Sequence, residues 1–380
     1  MVYANSRNSK NPVITAGELS HLAITSWHFH TELLPGESLS SWIVRAGLKH
    51  AIEPMGLGRI IWGEWRAWTR DIDRWLPNRR LEELSQALKI PRETLYLVTL
   101  TPWVRQMSLS PIHPNQRWFW VSSISHKNRS RRSSFAFCPL CLAEDKIPYM
   151  RKSWRFSWVT ACPVHKVLLR EACPHCDFPI HLSKHTLSSS NFRYCTSCHG
   201  DLSSTTEPPL AETSVHASQV ELTNALYAGQ PVAQNFATLR FLIHLIRKSL
   251  ISTRHSERSP LSNLIDLTPG KRSPLCSIAF PELSISDRHA LLNAAFKLLA
   301  LKESHFVDLL VQSGVTQSFF LKDISVLSDS MLRVSKQLPC TKRERVKNRE
   351  VSKQWPAPRS PDATRRLMNV LYRSIRVHGK

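Results

Sequence analysis

The stretch FAFCPLCLAEDKIPYMRKSWRFSWVTACPVHKVLLREACPHCDFPIHLSKHTLSSSNFRYCTSCHGDL, residues 135–202, carries four close pairs of metal-ligand residues: Cys138/Cys141, Cys162/His165, Cys173/Cys176 and Cys195/Cys198. Two residues separate the members of each pair, a spacing at which a tight turn aims both side chains at one ion. Taken in order they read Cys138-x2-Cys141-x20-Cys162-x2-His165 and Cys173-x2-Cys176-x18-Cys195-x2-Cys198. Three cysteines with a histidine, and four cysteines, are closed ligand sets with no position left for water. They point to two structural zinc ions and away from catalytic metal. The prolines after Cys138, Cys162 and Cys173 stiffen the turns. Only seven residues lie between His165 and Cys173, which favours two sequential sites. An interleaved arrangement, with the first and third pairs on one ion, is the alternative. His175 and His199 adjoin the last two pairs as supporting groups, and Cys276 and Cys340 are isolated thiols.

Composition sets the frame. The 380 residues are 42% apolar, as in a globular protein, with scarce Gly and helical spacing over long stretches, so the fold class is mainly α. No apolar run is long enough to span a membrane, and the N-terminus lacks the apolar segment of a secretory signal. The expected location is the cytoplasm, where cysteines at this spacing favour metal over disulfide. The net charge of +22 asks for a polyanionic partner, DNA, RNA or a ribonucleoprotein.

Outward from the metal region, residues 1–27 read as a loose extension and 28–107 as an N-terminal helical domain. After a turn at Pro35-Gly36, Ser38 is the expected N-cap of a helix that buries Leu39, Trp42, Ile43 and Ala46 and leaves Glu37, Ser40 and Arg45 outside. Trp27, Trp42, Trp62, Trp65, Trp68 and Trp75 read as core, with base stacking the rarer use. Residues 81–97 have the form of a helix-turn-helix, but Leu95-Tyr96-Leu97-Val98 is a poor surface for reading bases. Residues 108–134 read as a basic linker in which Arg129, Arg131 and Arg132 are candidate phosphate contacts.

On the other side, 203–330 reads as a C-terminal helical domain. Its expected features are a stripe of Leu239, Leu242, Ile243, Ile246 and Leu250, and a helix from Ser286 with Leu291, Leu292, Ala295, Leu298 and Leu299 inward. A second helix-turn-helix candidate spans 304–320, with Gly314 left-handed and Thr316 as a cap. Residues 331–380 form a basic tail in which Lys342, Arg343, Arg345, Lys347 and Arg349 are candidate nucleic-acid contacts without sequence readout. A last helix there starts from Asp362.

Several motifs in order resemble the TniQ/TnsD family of transposon target-selection proteins. They are Leu34-Pro35-Gly36-Glu37-Ser38-Leu39-Ser40-Ser41-Trp42; then Phe137-Cys138-Pro139-x-Cys141-Leu142-x-x-Asp145-x-x-Pro148-Tyr149-x-Arg151-x-x-Trp154; then Cys162-Pro163-x-His165 and Cys173-Pro174-x-Cys176. Asp177 departs from the family pattern, which has Gly there. The resemblance implies an adaptor in DNA integration. Such a protein links target recognition, by a CRISPR Cascade–guide RNA complex or at attachment-site DNA, to a TnsC-type AAA+ ATPase and the transposase. It implies dimers where Cascade is the partner.

Read from its residues, the chain has no Gly-rich phosphate loop, no acidic metal cluster and no nucleophile with a partnered base, so an enzyme is disfavoured. A stand-alone, sequence-specific, zinc-containing DNA-binding protein is the competing reading. The metal region itself is only modestly basic, and Trp154, Phe156 and Trp158 between its ligands read as packing residues. It is therefore expected to be a rigid hub between the helical parts.

Overall fold

A β-region Ser38 starts the helix α1 (Leu39–Lys49): its hydroxyl accepts from the Ser41 amide at 3.1 Å, as the cap position predicts. Leu39, Trp42, Ile43 and Ala46 are buried as expected. The rest of that expectation is corrected. Glu37 and Ser40 are also buried, and only 12% of the Arg45 side chain is exposed. A helix buried all round has protein on every side, and α1 has a separate apolar core on each. Leu39, Trp42 and Ile43 enter a small core with Leu57, Trp62, Leu81, Leu84 and Leu95. Val44 enters the main core, which runs through the metal region to Leu338.

The coordinates are a computed structural model that describes residues 31–122, 135–188, 191–204, 208–251, 277–321 and 327–340, with isolated residues between 260 and 275. Met1–Cys340 form one unit; the second, Thr341–Lys380, lies wholly outside the described residues. So do the N-terminal extension with Trp27, Cys276, and the expected helix from Asp362.

The architecture is mainly α. After α1 come α2 (Pro54–Trp62), α3 (Asn78–Leu88), α4 (Arg92–Val98), α5 (Thr101–Gln106) and α6 (Pro139–Glu144). Then follow α7 (Thr213–Tyr227), α8 (Ala233–Ile251), α9 (Ile285–Leu299), α10 (Glu303–Gln312), α11 (Gln317–Leu321) and α12 (Asp329–Gln337). Among the described residues there are no strands, only single antiparallel bridges, most of them in the metal region. α9 packs against α7 and α8, and α12 reaches α8, α10 and α11.

The tryptophans are mainly packing residues. Trp42 and Trp62 are buried, and Trp62 and Trp68 donate their indole N–H groups to the carbonyls of Arg80 (3.0 Å) and Pro54 (2.8 Å). Both helix-turn-helix shapes form locally. Lys89 takes a left-handed φ of 53° after α3, and Leu95 of α4 is fully buried. Gly314 has φ 69°, and the Thr316 hydroxyl accepts from Phe319 N at the start of α11. The side-chain oxygen of Gln317 accepts from the Cys340 thiol at 2.9 Å.

Two further expectations are corrected. α9 starts at Ile285, one residue before the expected Ser286, and is capped by Ser284, whose hydroxyl accepts from Asp287 N at 3.2 Å. Leu299, the last residue of α9, points outward at 43% exposure. The inward face instead takes in Arg288 and His289.

Candidate metal centres and the elements they join

The eight ligand candidates meet as two sequential clusters. In each, the donor atoms lie within 4.8 Å of one another: Cys138, Cys141, Cys162 and His165 in the first, Cys173, Cys176, Cys195 and Cys198 in the second. The interleaved arrangement does not form. A tetrahedron of Zn–S bonds of ~2.3 Å has edges of roughly 3.8 Å. The sulfur pairs match it: Cys141–Cys162 at 3.5 Å, Cys173–Cys198 at 3.6 Å and Cys176–Cys195 at 3.8 Å. His165 Nδ1 lies 3.4–3.5 Å from all three sulfurs of its cluster. The donor set and its spacing therefore suit a tetrahedral ion at each centre.

Local backbone chemistry explains the aim of the side chains. The first pair sits at a helix start: Cys138 is the N-cap of α6, and its sulfur accepts from Cys141 N at 3.5 Å. The other three pairs share one turn. The residue after the second ligand is left-handed in each, Lys166 at φ 57°, Asp177 at 55° and His199 at 58°. Its amide returns to the carbonyl of the first ligand at 3.0 Å, three times over. The first ligand's own amide then closes the turn on Val167, Phe178 or Gly200. The family's Gly at position 177 has its reason here, because a left-handed residue costs least as Gly; Asp is among the residues that tolerate it. Gly200 is required by space, since a Cβ there would lie 2.5 Å from the His175 ring.

Sequence reasoning missed the groups that orient these ligands. Glu144 accepts at 2.9 Å from His165 Nε2, which leaves Nδ1 free to face the sulfurs. Asp201 accepts from Arg193 Nε at 3.0 Å and from the Ser203 hydroxyl at 2.6 Å; against burial, these hold its carboxyl down at about 2. His175, expected as a supporting group, donates from Nε2 to the Asp201 carbonyl at 2.9 Å and lies 3.0 Å from the Ser204 hydroxyl, and thus ties the third turn to the fourth. Crowding makes the thiols compete for protons. Hydrogen bonds with Cys138 and then Cys162 push the Cys141 thiol up, while those from Cys138 and Cys141 hold Cys162 down. A divalent cation is what lets every sulfur in such a set be a thiolate at once.

Around the clusters, buried charge fastens three chain segments together. The two N-terminal motifs pair directly: Ser38 N donates to Met150 O (3.0 Å), Lys152 N to Gly36 O (2.8 Å), and Met150 N to the Ser41 hydroxyl (3.0 Å). Glu37, beside this bridge, accepts from Arg45 Nη2 (2.6 Å) and the Ser41 hydroxyl (2.8 Å). Arg155, fully buried, reaches Asp71, Asp73 Oδ2 (3.0 Å) and Ser122 O (3.0 Å), and Asp73 also takes the Ser40 amide and hydroxyl. On the far side, Arg288 of α9 donates to Glu171 Oε1 (2.5 Å) and Ser157 O (2.8 Å). His289 meets the Thr160 hydroxyl at 2.8 Å. Trp154, Phe156 and Trp158 are buried beneath. No periodicity signals the longest of these contacts, because Arg155 lies 82 residues from Asp73 and Arg288 lies 131 from Ser157.

The candidate nucleic-acid residues Arg129, Arg131, Arg132, Lys342, Arg343, Arg345, Lys347 and Arg349 lie outside the described residues. No helix among the described residues is long and apolar enough to cross a membrane. No curated protein matches the chain. The TniQ family model matches residues 28–169, which take in α1 to α6, the paired motifs and the whole first cluster and stop short of the second. Over residues 28–169 this chain is thus similar to the TniQ family.

Proposed function

We propose that this chain is a transposition target-selection adaptor. On this reading it links recognition of the target, through a CRISPR Cascade–guide RNA complex or attachment-site DNA, to recruitment of a TnsC-type AAA+ ATPase and the transposase. The TniQ match over residues 28–169 carries the reading. What the buried charge does supports it. Glu37, Asp73, Arg155 and Arg288 are spent on holding segments together, as suits a rigid, non-enzymatic part that presents surfaces to partners. Each cluster, on the same reading, holds one structural zinc that stiffens this frame. The basic stretches around Arg129–Arg132 and Lys342–Arg349 are the candidates for phosphate contacts, the protein acts in the cytoplasm, and it pairs as a homodimer where Cascade is its partner.

The test is co-expression with the ATPase and, separately, with Cascade, alongside gel shifts comparing attachment-site with random DNA at physiological salt. Co-purification with the ATPase is expected. Salt-sensitive, unselective DNA binding with Cascade capture supports guide-dependent targeting. Strong sequence selectivity with no capture of the ATPase would replace the adaptor with a stand-alone, sequence-specific DNA-binding protein.

A further inference from the structure

A cavity of about 460 Å³ lies between the chain segment 104–120 and α8, and it shares no residue with either metal cluster. α8 lines it with Arg240, His244 and Arg247, spaced so that they fall on one helical face. Arg117 joins from the opposite wall, and no Asp or Glu is among the described lining residues. A helix face turned toward protein normally carries an apolar stripe; here it concentrates positive charge around an opening.

The four basic groups are not equivalent. Arg247 is committed to the wall, donating to Leu275 O at 2.7 Å and to Ile278 O. Arg117 pairs with Glu282 at 3.1 Å but is 59% exposed, so that pair is weakly held. Arg240 lies over the Phe119 ring, 5.0 Å from its centre, and among the described residues no carboxylate reaches it. Arg240 is exposed at the opening, and partial desolvation by the wall pushes its pKa below the ordinary arginine value. An exposed cation with no carboxylate on it is open to an incoming anion.

The rest of the wall says what accompanies the anion. Phe119 is stacked on Phe280, with rings 10° from parallel, and Arg240 tops the pair. A further planar group would extend this stack. Ser110 and Gln116 offer both donors and acceptors, which match the mixed edge of a base; a carboxylate would need donors alone. The volume lies in the ~300–1,000 Å³ range of small-molecule sites and exceeds the needs of a bare inorganic anion.

We propose that this cavity binds a nucleoside phosphate unit, as a free nucleotide or as one nucleotide of a single strand, with Arg240 as its principal contact. The net charge of +22 draws such polyanions to the protein, and the cavity then selects an unpaired unit over a duplex.

The test uses the full chain at one fixed ionic strength, so that the basic tail contributes equally throughout. Adenosine monophosphate, an oligothymidylate of about eight nucleotides, a duplex and a polyglutamate peptide are titrated against wild type, Arg240→Met and Arg240→Lys. Calorimetry should find binding by the mononucleotide or the oligothymidylate, weakened about tenfold or more by Arg240→Met and largely kept by Arg240→Lys. If only the oligothymidylate binds, the unit is recognised within a strand; if the mononucleotide binds equally well, it is recognised free. Polyglutamate binding without either nucleotide ligand overturns the proposal in favour of an acidic peptide, and so does equal affinity in Arg240→Met. Hydrogen exchange on wild type keeps the proposal testable if a variant is unstable. Ligand must slow exchange in 108–117 and along α8, and unchanged exchange there refutes the site.

Discussion

Replacing Arg155 by Met should be among the most damaging single changes in the chain. The Arg155 guanidinium is fully buried and carries Asp71, Asp73 and Ser122 O on its two terminal nitrogens. Asp73 is itself only 1% exposed, so removing Arg155 leaves a carboxylate with two Ser40 contacts and no cation. Breaking one partner of a buried pair costs about 3–5 kcal/mol. For the unit Met1–Cys340, with an unfolding entropy of about 2 cal/mol/K per residue, that is a fall in Tm of roughly 4–7 °C. Differential scanning calorimetry of wild type, Arg155→Met, Asp73→Asn and the double variant measures it. The double variant should be less destabilised than the sum of the singles, because it no longer leaves the buried Asp73 carboxylate unpaired, although Asp71 still loses its cation. The pH dependence gives a second check. Burial already pushes the Asp73 carboxyl up against the pull of Arg155, and without Arg155 it rises further. A carboxyl with a raised folded pKa binds more protons when folded, so its stability falls as pH rises through that pKa. The gap between Arg155→Met and wild type should therefore widen from pH 5 to pH 8. A loss under about 1 kcal/mol, the value of an exposed pair, would refute the reasoning.

Other outcomes follow from the same geometry. Elemental analysis should give about two zinc ions per chain, and chelator challenge should release them in two phases. The second cluster should empty first, because Cys176 and Cys198 are exposed while all three cysteines of the first are buried; a single phase would refute this. Lys152 is buried over the Trp103 ring with its ammonium donating to Leu97 O at 3.0 Å, and burial pushes its pKa down to about 8. Below pH 8 it is charged in both states, so wild type should gain stability relative to Lys152→Met as pH rises from about 8 toward its unfolded value of 10.5, read by chemical denaturation. Asp177→Gly should be neutral or stabilising by up to about 1 kcal/mol in the same assay, whereas Gly200→Ala should destabilise by pushing the His175 ring off Asp201.

Much of the metal region is legible in the sequence because ligand pairs are local chemistry. Cys-x2-Cys and Cys-x2-His turns depend on a few adjacent residues, and the short spacer from His165 to Cys173 favours sequential sites. Helix caps at Ser38 and Thr316 and the stripe on α8 are readable for the same reason. Glu37, Ser40 and Arg45 are misplaced by periodicity because it assumes a single buried face, and α1 has protein on every side. Leu299 is misplaced because a stripe does not say which of its members fall at the helix end, where Leu299 is exposed.

The sequence by itself determined the helical class, the eight ligand candidates, and the motifs that resemble the TniQ family, since these reside in composition, spacing and nearest-neighbour turns. Only the tertiary structure decided that the Leu34–Trp42 motif pairs with the Tyr149–Lys152 segment. It alone placed Arg155 with Asp71 and Asp73, set Arg288 against Glu171, and turned three basic groups of α8 into one cavity. Ion pairs between residues some hundred positions apart leave no local pattern, because what makes them favourable is the low-dielectric interior that exists only after the chain has packed.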